Sequence, residues 1–271
     1  MKKLKMVPLF ALVGAALAVS SCSKKEEAVV TPAAVSQEVL SQIKALGLST
    51  EDVKPVDGGY LVEGDLILSD EDLADNPVRS FLRIGGEEQY RTNNVVRGLP
   101  RVITVSLSNQ FPASYATATD EAIRRYNAEG LRLTFRRVAA GSNADISLIF
   151  SSGLGPGVLG GAEGFPSGGN PNPVIRLVPS VIGNRSTGSL ATIIAHEIGH
   201  TIGFRHTDYF NRAYSCGRIT SQNNEGDGGV GAILIPGTNP NEDPNSWMLA
   251  CLGSTNRPFN SNDRIALNYI Y

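Results

Sequence analysis

Apolar positions along this chain change period several times, and each change marks an element. An unbroken apolar run from Met6 to Val19 follows Met1-Lys2-Lys3-Leu4-Lys5. Val39, Leu40, Ile43 and Leu46 then repeat at helical spacing, which predicts a helix over 36–46 ended by Gly47. Tyr60 to Leu68 reads as a strand interrupted at Gly64, and Asp70, Glu71 and Asp72 favour the first turn of a short helix beginning at Ser69. Leu99 to Leu107 alternates and is β-branched, so it is expected to be the first strand of the main sheet. A helix over 116–128, a strand over 131–137 and a strand over 145–150 follow, an alternation that implies a partly parallel sheet with a crossover helix. Glycine and proline dominate 152–173, where no regular element is expected. Val174 to Val178 is the next strand. Leu190, Ile193, Ile194 and Ile198 give the following helix a buried face, with hydroxyl caps at 186–189 and an end at Gly203. Residues 221–244 are irregular apart from Ala232 to Ile235, and 261–271 predict a closing helix that packs through Ile265, Leu267, Ile270 and Tyr271.

The basic start, the short apolar run and the small residues after it form a signal peptide over 1–21, too short for a comfortable membrane span. Val19-Ser20-Ser21-Cys22 resembles the lipobox of bacterial lipoproteins, which implies lipidation at Cys22, a membrane anchor, and a periplasmic or cell-surface location. Ser23-Lys24-Lys25-Glu26-Glu27 resembles the export tag of some surface lipoproteins. Residues 22–35 then read as a solvated tether. With Cys22 carrying lipid, Cys216 and Cys251 remain, and an oxidising compartment favours their pairing; two free thiols are the alternative. That disulfide would close a loop of about 35 residues, worth roughly 3–4 kcal/mol in the chain-entropy account. The net charge of -2 is dispersed, with no basic block outside the leader, which argues against a nucleic-acid partner. A hydrophobic fraction of 41% is enough for an ordinary core, and a monomer is expected.

The chain has three histidines, and all of them lie in His196-Glu197-Ile198-Gly199-His200-Thr201-Ile202-Gly203-Phe204-Arg205-His206. Two histidines four apart on a helix share one face and can share a metal ion. Imidazole nitrogens suit Zn(II). Glu197 points to the neighbouring side, where a carboxylate can take a proton from water on the metal and act as general base. Gly203 can enter the left-handed conformation, end the helix and bring His206 to the ion from the other side. Three protein ligands with one open position are the arrangement of a catalytic zinc.

This H-E-x-x-H-x-x-G-x-x-H segment resembles the zinc signature of the metzincin peptidases, and its His-Glu-Ile-Gly-His core resembles the bacterial dual-action HEIGH metallopeptidases. The resemblance implies an α+β catalytic domain with a twisted mixed sheet, an active-site helix and a smaller irregular C-terminal subdomain. It also implies a methionine turn beneath the metal, for which Ser246-Trp247-Met248 stands in the right place. Some metzincins carry a tyrosine two residues later, whereas this chain has Ala250, so no such tyrosine is assigned. Val62-Glu63-Gly64-Asp65 resembles the prosegment motif F-x-G-D of the astacin branch, with valine in place of phenylalanine. Asp65 is then a candidate latency switch that would fill the fourth zinc position; the alternative is a turn aspartate after Gly64. The organisation expected is a prosegment over 36–97 and a catalytic domain over 98–271, with cleavage between about Asp75 and Gly98, where Arg79, Arg83, Arg91 and Arg97 offer basic sites. Val174 to Val178 is a candidate edge strand for extended substrate.

The function this implies is a latent, exported zinc endopeptidase acting on protein or peptide substrates. Rivals are a zinc esterase or amidase, a binding lipoprotein that keeps the metal for folding, and a site whose third ligand is Glu225 or Glu242. Glu225, Asp227, Glu242 and Asp243 could ligate Ca(II), although solvated loop charges are the favoured reading. Asp208, two residues past the third histidine, could orient a ligand imidazole through its second nitrogen, although exposure is the favoured reading.

Overall fold

Ser36 opens the folded part: its hydroxyl accepts the Val39 N–H at 3.2 Å and caps α1 (Gln37–Ala45), one residue inside the expected bounds. The computed structural model describes residues 34–46, 48–74, 89–217, 225, 231–239 and 242–271. The leader, Cys22, most of the tether, Gly47, Arg79, Arg83 and Asp227 lie outside the described residues.

Three short strands follow, β1 (Lys54–Val56), β2 (Gly59–Val62) and β3 (Leu66–Leu68), and then α2 (Asp70–Ala74). The interruption expected at Gly64 is a full reversal. Glu63 and Gly64 both take positive φ, 55° and 92°, and the hairpin pairs Val62 with Leu66. A non-glycine residue in that region carries strain, which here aims the Glu63 side chain inward. Ile43, Leu48, Val62, Leu66 and Leu73 give this N-terminal part a small core of its own.

The remaining elements are β4 (Tyr90–Arg91), β5 (Arg101–Leu107), α3 (Ala113–Ala128), β6 (Leu133–Val138), β7 (Ile146–Phe150), β8 (Gly160–Ala162), β9 (Val174–Leu177), α4 (Pro179–Ile182), α5 (Thr187–Ile202), α6 (Ala213–Cys216), β10 (Ile233–Leu234) and α7 (Ser261–Ile270). One mixed sheet runs β1-β2-β3-β8-β9-β7-β5-β6. The strands β9, β7, β5 and β6 are mutually parallel, and α3 is the crossover between β5 and β6. The α+β class with a mixed sheet expected from the sequence is therefore found, with two changes at the site edge. The glycine-rich stretch does contain a strand, β8. Val174–Leu177 is an interior strand, because β8 pairs with it antiparallel and itself meets β3 in parallel, Leu66 opposite Ala162.

The tight crossing explains why β8 escapes propensity reasoning. A Cβ on Gly161 would lie 2.6 Å from the Asp65 carbonyl oxygen, and one on Gly160 would lie 2.8 Å from that of Arg176. Only residues without a side chain let three backbones approach there.

Helix α5 is buried from Ser189 to Ile202, so it runs through the middle of the core with apolar contacts on every side. Its carbonyl at Ala195 accepts both the Tyr126 hydroxyl (2.8 Å) and the Trp247 indole N–H (3.2 Å). Helix α7 starts with a capping box between Asn260 and Asp263. The Asp263 carboxylate also takes the Ser246 hydroxyl (2.9 Å) and the Gln89 amide (3.0 Å), which fastens the turn holding Met248. Leu267 and Tyr271 pack as expected, while Ile265 is 40% exposed. Cys216 and Cys251 form the expected disulfide across a Cα separation of 5.1 Å.

Candidate metal centre

The site is assembled on α5 and the turn that ends it. Ser186 caps the helix start by accepting the Ser189 N–H, and Gly203 ends it with φ 111°. The turn is locked from outside: Thr92 N–H donates to Gly203 O (2.8 Å) and Arg205 N–H to Tyr90 O (2.9 Å). His206 is thereby brought back over the helix, its ring centroid 4.8 Å from that of His200 and 5.3 Å from that of His196. Arg91 and Arg97 belong to this framework, Arg91 pairing with Ile233 and Arg97 donating its N–H to Gly169 O.

Each imidazole is oriented through its Nδ1. His196 Nδ1 donates to Trp247 O (2.9 Å) and His200 Nδ1 to Phe204 O (3.0 Å); His206 Nδ1 donates to the Glu225 carboxylate (2.6 Å). A carbonyl can only accept, so the protons sit on Nδ1 and the Nε2 lone pairs of His196 and His200 face inward, 3.1 Å apart. Burial pulls the His200 pKa down to about 4, which keeps that ring neutral. Asp65 supplies a fourth donor: its Oδ2 lies 2.8 Å from His206 Nε2, 3.2 Å from His196 Nε2 and 3.8 Å from His200 Nε2. All four donor atoms lie within 4.8 Å of one another and all four residues are buried. Two lone pairs pressed together in a dry site are unfavourable without a cation between them, and a His₃-carboxylate set suits a divalent metal.

Glu197 faces the same space. Burial raises its pKa well above the usual carboxylate range, and the charge of Asp65 adds to this, while the Ala162 N–H hydrogen-bonds to it from β8. Its Oε2 and the Asp65 Oδ1 are buried without a hydrogen-bond partner among the described residues. These orphaned oxygens point to a ligand or water in the site.

Met248, fully buried, lies beneath α5 against Gly199. A Cβ at Gly199 would stand 2.5 Å from Met248 Sδ and 3.3 Å from Trp247 Nε1. Gly199→Ala is expected to lower stability by about 1–3 kcal/mol through overpacking, read from urea unfolding; an unchanged midpoint would show that Met248 has room to move.

Several residues had no sequence signal for their roles. Glu225 is buried and touches His206 Nδ1, behind the ring, so it orients the imidazole and does not join the convergence point. Glu225→Gln is expected to weaken metal affinity about 10- to 100-fold, measured by competition with a chromophoric chelator. Asp208 is buried, not exposed: it accepts the Ala250 N–H (2.9 Å) and the Ser215 hydroxyl, and touches no ligand imidazole. Arg205 donates to Glu63 at 2.8 Å and lies 3.5 Å from Glu225. The acids read as calcium candidates do not converge among the described residues, since Glu242 takes the Asn211 amide and Asp243 takes those of Asn260 and Asn262.

Residues 62–271 match the family described as the dual-action HEIGH metallo-peptidases, a span that includes the Glu63-Gly64-Asp65 turn. Among curated proteins, none matches the sequence. Among solved structures, a structure of myroilysin is 16% identical over 66% of this chain and 96% of that one, with a TM-score of 0.41. A crystal structure of myroilysin is 14% identical over 64% and 83%, with a TM-score of 0.38.

Proposed function

We propose that this chain, which belongs to the dual-action HEIGH metallo-peptidase family, is a metzincin-type zinc endopeptidase made in a latent form. The observation that carries the reading is the convergence of His196, His200, His206 and the Asp65 carboxylate beside Glu197. The three imidazoles would hold the zinc, and Asp65 would take the place of substrate and water at it. When bound, zinc supplies a Lewis acid that polarises a carbonyl and acidifies water. Glu197 accepts the proton of the attacking water and delivers it to the leaving amine. The hydrogen bond from Ala162 holds its carboxylate at the edge of β8, which is the strand left free to receive an extended peptide once β3 departs.

Latency follows from the same contacts. Residues 36–74 extend the catalytic sheet, cover the β8 edge and put Asp65 among the imidazoles, so catalysis waits for this prosegment to leave. The candidate cleavage residues narrow accordingly: Arg91 and Arg97 are tied into the catalytic part, and Arg79 and Arg83 remain. An exported, lipid-anchored protein is part of the proposal on the leader sequence alone, and loss of fatty-acid labelling in Cys22→Ser is its check.

Peptidase and esterase readings separate on substrate. The full chain, cut with trypsin and then freed of trypsin activity, is expected to digest gelatin in a chelator-sensitive way. Hydrolysis of a p-nitrophenyl ester without gelatin digestion would favour the esterase.

A further inference from the structure

A cavity of about 380 Å³ opens directly beside His196 and Glu197. The prosegment meets it with Lys54, Gly64 and Asp65. Ile193 and Leu252 contribute apolar wall, and Arg185 and Arg212 contribute the two cations that would remain once the prosegment, with Lys54, leaves.

The two arginines differ in how their charge is met. Arg185 donates to the carbonyls of Ile182 and Gly253 and to the Ser189 hydroxyl, and no carboxylate contacts it among the described residues. Arg212 Nε lies 3.1 Å from Glu225 Oε1, but that carboxylate also faces His206 and Arg205. The Arg212 guanidinium lies over the prosegment turn, with Nη2 2.9 Å from where a Cβ of Gly64 would stand. Burial disfavours its charge, and Glu225, Asp65, Glu63 and Asp208 together more than restore it. Two of those four carboxylates, Glu63 and Asp65, belong to the prosegment and leave with it. Arg212 then keeps the weakest of the four, Asp208, and a share in Glu225, which also faces Arg205 and His206, at the wall of a half-apolar cavity where an undermatched charge is costly.

We propose that this cavity receives the substrate group adjacent to the scissile bond and selects a carboxylate, with Arg212 as the specificity-determining residue and Arg185 as a second cation on the wall. The proposal rests on the peptidase reading. In the latent form the prosegment already places the charges of Glu63 and Asp65 near Arg212, and a substrate carboxylate would replace them after activation. A guanidinium in partly dry surroundings forms charge-assisted bonds to carboxylates that a neutral amide cannot replace. The carboxylate could come from a glutamate or aspartate side chain or from the end of a peptide chain.

The test uses the trypsin-activated full chain, with trypsin then inhibited, and internally quenched peptides bearing Glu, Gln or Lys at each position flanking one cleavable bond. One peptide set is amidated at its C-terminus, and another has Gln throughout and a free C-terminus next to the bond. The expected result is a kcat/KM about 10- to 100-fold higher for one Glu peptide than for its Gln counterpart. Arg212→Ala should reduce that ratio to near one, and Arg212→Glu should favour Lys, each ratio being taken between peptides on the same variant. A preference carried only by the free C-terminus would place the carboxylate there. Binding of the same peptides to the Glu197→Gln protein, followed by fluorescence anisotropy, reads the selectivity without turnover. Cleavage with no acidic preference, or a preference that survives Arg212→Ala, overturns the proposal and leaves the peptidase reading intact. Selective binding of the acidic peptide with no cleavage by the wild type does the reverse.

Discussion

Glu197→Gln, introduced in the full chain and compared after trypsin activation, is expected to lose peptide hydrolysis by about 10²–10⁴-fold, the usual contribution of a positioned acid–base group. The amide has nearly the shape of the carboxylate, so it can still accept the Ala162 N–H that Glu197 accepts. None of the three imidazoles hydrogen-bonds to Glu197; their Nδ1 atoms are held by Trp247 O, Phe204 O and Glu225. Metal content should therefore stay at the wild-type value while turnover falls. What the variant lacks is a basic oxygen in a buried site, where burial holds the carboxyl ready to bind a proton. A variant that loses metal and activity together would assign Glu197 a structural part.

Asp65→Ala should have the opposite sign, raising the activity of chain that trypsin has not touched. The Asp65 Oδ2 stands 2.8 and 3.2 Å from His206 Nε2 and His196 Nε2, where it would be a fourth donor to the metal, and this charged contact is taken as worth about 1.5–3 kcal/mol. Removing it should increase the open population on the order of 10- to 100-fold, since 1.4 kcal/mol is a factor of ten. The rest of the prosegment still holds through Glu63 on Arg205, the Leu66 to Ala162 pairing, and the cluster of Leu61, Ile67, Leu154, Val158 and Val178 that crosses between the two parts. Full activity should accordingly still need the cut. Gelatin digestion by uncut Asp65→Ala against uncut wild type reads the effect, and equal, near-zero rates would show that the β8 edge alone enforces latency.

Local features of this fold were legible and tertiary ones were not. The His196 to His206 segment announces its own geometry, because a helix spacing, a glycine for the left-handed turn and a third histidine are all encoded within eleven residues. The capped helices α1 and α5 and the β-branched strand β5 were equally readable from neighbours in sequence. Strand β8 was not, since Gly160, Gly161 and Ala162 are small for the sake of the backbones that cross them and have no strand propensity. Glu225 looked like a loop charge because its partners, His206, Arg205 and Arg212, meet it only in the folded chain. Glu63 was passed over inside an apparent strand, although its positive φ and its bonds to Ser49 N–H and Arg205 make it half of a di-acidic turn. Asp208 was misjudged for the same reason, as its partners Ser215 and Ala250 come from segments the disulfide draws together.

Gelatin cleavage by the zinc-loaded full chain, before and after limited trypsin, tests the central claim most directly. The account predicts no cleavage before the cut, strong cleavage after it, and none in either state for Glu197→Gln, with one zinc per chain throughout. Stoichiometric zinc with no cleavage in any state would contradict it and leave a metal-stabilised binding protein in its place.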